Sequence, residues 1–551
     1  MKNRLPIIAS LALALGVTLG VMLPKENQAA NANASIAESQ VSFPSASNNF
    51  NKLNYVLMLL KSMYVDSIKT DELTEKIIPM VLEELDPHST YVPKEEAEMA
   101  NEELEGSFSG IGVQFNIQND TVMVVDVIAG GPSEKVGIMP GDRIIEVNDS
   151  TFVGKNINNN KVLKTLRGEK GTKVNVGIKR NSSTETLYFT ITRGDIPVNS
   201  VDIAYALTPK IGYIKVSRFG ANTYNEFVTE LTKLKKQGCE EFMIDLRYNS
   251  GGYLHAAIKM INEFLEKGEL IVYTEGRSYP REDAIANGKG MFKNVPVCVL
   301  INEWSASASE IFAGAIQDQD RGTIVGRRSF GKGLVQQQVP LFDDSQVRIT
   351  IAHYYTPSGR SIQKPYEGGK LEEYEKDLLN RYEHGEFFSA DSIAATDSIK
   401  YYTKNGRVVY GGGGIMPDYF VPQDTTGHTP YYTEAQNKGY TYSFAFQYAD
   451  KNRETLKQFK DYTLLCDFLD KENINLQFYK FAESKGLTTE TAGRDECADV
   501  INNILKAYIS RNIIGEKAFY PILNSKDETI IKALEIMQEQ FLKTIEPSVK
   551  Q

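Results

Sequence analysis

Phe242-Met-Ile-Asp-Leu-Arg-Tyr-Asn-Ser-Gly-Gly252 decides the fold. Its first half, Phe242 to Leu246, is an apolar run of strand length, the pattern of a strand buried on both faces. The paired glycines end it in a turn. Leu254 to Leu265 follows at helical spacing, and Val297 to Ile301 supplies the next buried strand. Upstream, Ile211 to Val216 reads as a strand. The helix after it carries Tyr224, Phe227, Val228, Leu231 and Leu234 on one face and stops at Gly238. Strands and helices alternate in this way through 196–425, which predicts a layered α/β core.

On the N-terminal side the period changes. Gly110-Ile-Gly-Val-Gln-Phe115 opens an alternating strand pattern, and Thr121 to Val127 is strand-like. Gly130 to Gly137 reads as a turn and short helix, and Gly141 to Asn148 as a turn and strand. This order over 106–195 resembles a PDZ domain of the bacterial protease-associated type. The resemblance implies that Gly110, Ile111, Gly112 and Val113 form a loop whose N–H groups receive the terminal carboxylate of a peptide, which then adds as a strand.

Before that module, 35–105 is expected to be a linker and a helical region, with Leu53, Leu57, Leu60 and Met63 at helical spacing. Residues 1–34 read as an export signal: Lys2 and Arg4, then the apolar run Leu5 to Leu23, then A-x-A sites within Gln28 to Ala34. Uncleaved, that run would be an N-terminal membrane anchor. The expected location is the periplasm or cell envelope. Residues 426–551 read as mostly helical, for example Ile501 to Ile509 and Ile530 to Leu542, with a packing or self-association role.

The net charge of −10 over 551 residues gives a nucleic-acid partner no electrostatic support. Cys239, Cys298, Cys466 and Cys497 are widely spaced and make no metal-type pair. Neither a metal nor an organic cofactor is expected.

The chemistry rests on Asn302-Glu-Trp-Ser-Ala-Ser-Ala-Ser-Glu310 and on Phe330-Gly-Lys-Gly-Leu-Val-Gln336. A serine hydroxyl needs a base within hydrogen-bond reach. A lysine serves only when its amine is neutral, which requires shielding from water. Lys332 lies between Gly331 and Gly333, which admit other backbone closely, and before apolar Leu334-Val335. In a strand, Lys332, Leu334, Gln336 and Gln338 would share a face, letting Gln336 orient the amine without adding negative charge. The residues alone leave Ser305, Ser307 and Ser309 undecided. Ser307-x-x-Glu310 also fits a capping box, and a helix N-terminus there would favour a nucleophile through its free N–H groups. The Gly251-Gly252 turn suits an oxyanion hole. Of the five histidines, His88, His255, His353, His384 and His428, only His255 lies beside that turn.

Taken together, these blocks, with Leu85-Asp-Pro-His-Ser89, Tyr355-Thr-Pro-Ser-Gly-Arg-Ser361 and Gly414-Ile-Met-Pro-Asp418, resemble the C-terminal processing peptidases, or tail-specific proteases, over roughly 50–425. The resemblance implies an α/β serine-protease core of ClpP/crotonase-like layering with an inserted PDZ domain. It implies Ser307 as nucleophile, Lys332 as base and Gln336 as its orienting partner. The implied oxyanion donors are the N–H of Ala308 and that of Gly251 or Gly252. Asp318 falls on an acidic position of the pattern. The implied substrates are envelope proteins with free apolar C-termini, and a homo-oligomer, a dimer, is expected. Two rival readings are a non-catalytic PDZ scaffold that binds tails and an acyl-thioester enzyme of the enoyl-hydratase type. The long segment 366–400 and the C-terminal helices depart from the family pattern.

Overall fold

The computed structural model describes residues 49–545 except 119, 129, 181–182, 394–398 and 489–491. The expected signal, 1–34, and the linker expected at 35–47 lie outside the described residues. The chain opens with α1 (Asn49–Met63), α2 (Thr70–Glu83), β1 (Thr90–Val92) and α3 (Lys94–Glu105). Next come β2 (Ser107–Gly110), β3 (Val113–Gln118), β4 (Thr121–Val127), α4 (Pro132–Val136), β5 (Arg143–Val147), β6 (Ser150–Thr151), α5 (Asn159–Leu166), β7 (Lys173–Lys179), β8 (Leu187–Thr192) and β9 (Gly194–Pro197). The core then runs through β10 (Val201–Ala206), β11 (Ile211–Val216), α6 (Thr223–Lys236), β12 (Glu241–Asp245), α7 (Leu254–Asn262), β13 (Leu270–Glu275), β14 (Glu282–Ile285), β15 (Val297–Ile301), α8 (Ala308–Asp318) and β16 (Thr323–Gly326). After it come β17 (Leu334–Pro340), β18 (Gln346–Tyr355), α9 (Leu371–Glu375), α10 (Asp377–Glu383), β19 (Lys400–Tyr402), β20 (Val408–Tyr410) and β21 (Tyr419–Phe420).

These residues form two compact units. Of the described residues, the first takes those up to Glu98 with 335–352 and 365–377; the second takes those in 99–334, in 353–364 and from 378 to 545. In the first unit, β1 runs antiparallel to β18, with Thr90 opposite Arg348 and Val92 opposite Gln346. The buried Asp86 carboxylate gathers the N–H groups of His88 and Ser89 and the hydroxyls of Ser89 and Thr350. The Leu85-to-Ser89 motif is thus a fixed turn.

In the second unit, β3-β4-β5-β7-β8 make one sheet, with β6 paired to β5 and β3 at its edge. Val122, Val124, Ile144, Val174, Val176 and Ile191 fill its core. The other sheet runs β10-β11-β12-β15-β16-β21 and is parallel from β11 onward. The strands read from apolar runs occur where expected. α7 ends at Asn262, short of Leu265; at its cap, the Glu263 carboxylate accepts from the Tyr224 hydroxyl and the Met291 N–H. Phe264 and Leu265 remain buried.

The C-terminal region divides in two. Helices between Pro430 and Ile514 close around their own core of Phe444, Leu465, Phe478 and Leu505. The last helix, Glu528–Ile545, instead lays Ile530, Ala533, Ile536 and Met537 against Ile203, Tyr213, Met243 and Leu300 of the parallel sheet. A boundary at 425 would therefore strip one layer from the core. The amphipathic pattern showed that this helix has an apolar face, but not which surface covers it. All four cysteines are free thiols. Among the described residues, no helix is long and apolar enough to cross a membrane.

Candidate active site

Strand β12 ends at Asp245 and leads into the glycine turn. Burial alone would raise the Asp245 carboxyl, but Arg247 and Lys215 outweigh it and hold it well below the usual carboxylate range. Arg247 Nη1 also donates to both carboxylate oxygens of Asp527, at 2.9 and 2.8 Å, just before the last helix. Asn249, fully buried, sets the turn itself. Its side-chain nitrogen donates to Val216 O at 2.9 Å and its side-chain oxygen accepts from Gly251 N at 2.9 Å. Gly251, at φ +106°, lies so close to the serine segment that a Cβ there would sit 2.7 Å from the Ser307 Cβ and 3.0 Å from Ala308 N.

The three serines have different fates. Ser305 Oγ accepts from Asn302 N and donates to Leu246 O, both at 2.9 Å. Ser309 Oγ donates to Asn249 O at 2.8 Å. Both residues are fully buried, so their hydroxyls are engaged in tying the loop down. Ser307 is partly exposed and stands as N-cap of α8 at φ 56°, ψ −115°. That backbone is strained for a side chain with a Cβ, by about 1–3 kcal/mol, a condition concentrated at functional sites. The next N–H, of Ala308, finds no acceptor among the described residues; neither does that of Gly252, whereas Gly251's is used by Asn249. Of the N–H groups expected as oxyanion donors, those of Ala308 and Gly252 are thus the ones without a described acceptor.

Glu310 joins this helix to the lysine loop. One of its oxygens accepts from Ser307 N at 2.8 Å and Lys332 N at 2.9 Å. The other accepts from Gly331 N at 2.7 Å and the Ser329 hydroxyl at 2.5 Å. The carboxylate half of the capping box is therefore present, and it reaches much further than a cap. Burial raises this carboxyl to about 7; the Ser329 hydroxyl and the N–H groups of Lys332, Gly331 and Ser307 pull it down against that. A second clamp is the buried Tyr354, whose hydroxyl donates to Ser307 O at 3.2 Å and Lys332 O at 2.5 Å. Carboxylate and phenol together hold the two backbones side by side. The flanking glycines behave as read: the Gly413–Gly414 backbone approaches Gly331, and Gln363 approaches Gly333.

Strand β17 begins at Leu334, two residues after Lys332. Gln336 belongs to the first unit and donates its amide to the His88 carbonyl. Asp318 is a structural ion pair. It is fully buried and accepts from Arg360 at 2.7 Å, roughly 16 Å along the helix from Ser307 at 1.5 Å per residue. His255 stacks on Tyr253 at 5.1 Å, and burial and Lys259 push its imidazole down.

Three stretches match known families: 109–191 a PDZ domain, 210–369 peptidase family S41, and 431–515 a family of unknown function. The middle of the chain is thus similar to an S41 peptidase domain. The S41 match runs from just before β11 to beyond β18 and so contains both Ser307 and Lys332. Among curated proteins, a Staphylococcus epidermidis protein named "Probable CtpA-like serine protease" is 36% identical over 317 residues, 57% of this chain and 63% of that one. A Staphylococcus aureus protein of the same name is 35% identical over 316 residues, 57% of this chain and 62% of that one. The chain thus spans somewhat less than two thirds of these relatives' length. Among solved structures, a photosystem II D1 C-terminal processing protease is 28% identical at TM-score 0.33, covering 57% of this chain and 84% of that one. A peptide-bound PDZ domain of a carboxy-terminal protease from Vibrio cholerae is 28% identical at TM-score 0.15, covering 16% of this chain and 97% of that one.

Asn249, Tyr354 and Ser329 carried no signal in the sequence, and Glu310 carried only a capping signal. The S41 domain depends on the first of these through the turn. Gly251→Ala is expected to lower stability by about 1–3 kcal/mol and turnover by roughly a hundredfold, because the new methyl must displace Ser307. Thermal melts with turnover per folded molecule check this; unchanged turnover would show that Ser307 needs no such close fit.

Proposed function

We propose that the chain is an exported serine endopeptidase that recognises free, apolar C-terminal tails of envelope proteins through its PDZ domain. Ser307 is the nucleophile and Lys332 the general base. The observation that carries this reading is the single Glu310 oxygen shared by the N–H groups of Ser307 and Lys332. The S41 match and the named relatives support the same class of chemistry.

Ser307 Oγ attacks the peptide carbonyl carbon while its proton passes to the Lys332 amine. Negative charge on the carbonyl oxygen is met by Ala308 N–H and Gly252 N–H at the positive end of α8. Collapse expels the amine, which takes the proton back from Lys332. Water then attacks the acyl-enzyme by the same proton route and frees Ser307. Gln336 is kept in this reading as an orienting partner of the base.

Two features support tail capture. The N–H groups of Ile111 and Gly112 find no acceptor among the described residues, and β3 lies at a sheet edge where a further strand can pair. Gly110 and Val113 flank that loop. A substrate with a free C-terminus is expected to show a KM about tenfold below that of its amidated twin, the worth of one charge-assisted set of hydrogen bonds. Equal KM values would remove the tail from recognition.

The deciding experiment incubates purified protein with an unfolded substrate bearing an apolar tail. Cleavage is expected from the parent and from neither Ser307→Ala nor Lys332→Ala. A parent without activity would favour the scaffold reading. Export through residues 1–34 and a homodimer belong to the same proposal, and cell fractionation and sedimentation of the purified protein test them.

A further inference from the structure

Segment 366–400, which departs from the family pattern, sends two charged side chains into the interior beside the lysine loop. Arg381 on α10 and Glu386 just after it are buried, as is Arg328. One Glu386 oxygen accepts from Arg328 Nε at 2.7 Å and Arg381 Nε at 2.8 Å; the other accepts from Arg328 Nη2 at 2.5 Å. Arg381 donates its remaining N–H groups to backbone, to Arg328 O at 2.8 Å and Ser329 O at 3.1 Å. Arg328 Nη1 reaches Gly413 O at 3.1 Å.

Taking three charges out of water is costly, and such groups seldom stabilise more than apolar replacements of the same shape. What this cluster accomplishes is geometric. It grips the carbonyls of residues 328 and 329, directly ahead of Phe330-Gly331-Lys332. Ser329 in turn gives its hydroxyl to Glu310 and accepts from Ile415 N at 2.6 Å. A continuous series of hydrogen bonds therefore runs from Arg381 to Ser329, from Ser329 to Glu310, and from Glu310 to the N–H groups of Ser307 and Lys332.

We propose that Arg381 and Glu386 are positioning residues for the Lys332 loop, acting through Arg328, Ser329 and Glu310. The inference rests on the Ser307–Lys332 reading above. Neither residue contacts reacting atoms in this scheme. Their effect is on how well the lysine segment is held against the nucleophile, a matter to which proton transfer is sensitive at the ångström scale.

The test compares the full-length parent with Glu386→Gln, Arg381→Lys and Arg381→Ala. Turnover of an unfolded substrate is resolved into kcat and KM per folded molecule. Labelling of Ser307 by a small sulfonyl fluoride is timed in parallel, and melting temperatures are recorded. Glu386→Gln keeps the shape of the side chain. Arg381→Lys keeps the charge but loses the planar fork that grips two carbonyls. In all three variants kcat and the labelling rate are expected to fall together, by about tenfold to a hundredfold, with KM unchanged. Arg381→Lys is expected to recover little of what Arg381→Ala loses.

Parental kcat and labelling in folded Glu386→Gln or Arg381→Lys would overturn the proposal. So would a change confined to KM, which would make the segment part of substrate binding. If the parent itself neither cleaves nor is labelled, the Ser307–Lys332 reading fails instead, and the two failures are told apart. Should Arg381→Ala not fold, the two milder variants carry the decision.

Discussion

Ser307→Ala is expected to abolish turnover, by at least about a thousandfold, while leaving the melting temperature near the parental value. The hydroxyl sits on a strained N-cap whose backbone contacts to Glu310 and Tyr354 do not involve the side chain. Lys332→Ala should give a loss of similar size, and the double variant little more, because in the proposed scheme nucleophile and base act as one unit. Ser305→Ala and Ser309→Ala should do the reverse. Ser305→Ala leaves the buried Asn302 N–H without its acceptor, and Ser309→Ala removes one of the two donors to Asn249 O; each lowers stability by about 1–3 kcal/mol, with the folded fraction still active. Thermal melts and rates on the four single variants check this. An active Ser307→Ala protein, or an inactive but stable Ser309→Ala protein, would reassign the nucleophile.

Glu310→Gln is expected to lower turnover by roughly a hundredfold and to change how the protein responds to pH. The carboxylate faces four donors, so an amide in its place turns an N–H₂ toward two of them. Protonation does the same more mildly. Because burial raises the group to about 7, the parental rate is expected to climb as pH rises through that value. Stability moves in the opposite sense. A carboxyl raised from 4.5 in the unfolded chain to about 7 in the folded one binds its proton more tightly when folded. Its contribution is fully present below pH 4.5 and is lost as pH rises through about 7, on the order of 3 kcal/mol in all. Rate and stability should therefore cross over between pH 4.5 and 7, and both slopes should flatten in the Glu310→Gln protein. An acid limb near neutrality that persists in that variant would place the titrating group elsewhere. A limb there does not by itself point to a histidine, since this carboxyl titrates in the same range.

Much of the fold could be read from local pattern. Val297 to Ile301 and Ile211 to Val216 occur as strands over those same residues, because continuous apolar runs of that length are satisfied only by burial on both faces. The Gly251-Gly252 turn, the Ser307 helix start and the short helix at Pro132 were equally local. The candidate site was legible only in part. The expected nucleophile and base, Ser307 and Lys332, came through a family resemblance. The site's supporting groups did not, since nothing near Glu310 in the chain announces a contact with Ser329, Gly331 and Lys332.

Readable from local pattern alone are the alternation of strands and helices, the glycine turn and the presence of a serine run and a glycine-flanked lysine. These follow from backbone preference and side-chain periodicity within a few residues. Everything else came from long-range packing. It engaged Ser305 and Ser309 in holding the loop and left Ser307 partly exposed. It turned the Gly251 N–H onto Asn249, brought Glu310 under two separate loops, made the last helix a layer of the core and drove Arg381 and Glu386 inward. The reason is physical: burial raises the Glu310 carboxyl and pairs Arg328 with Glu386, and burial is set by which distant segments the fold packs together.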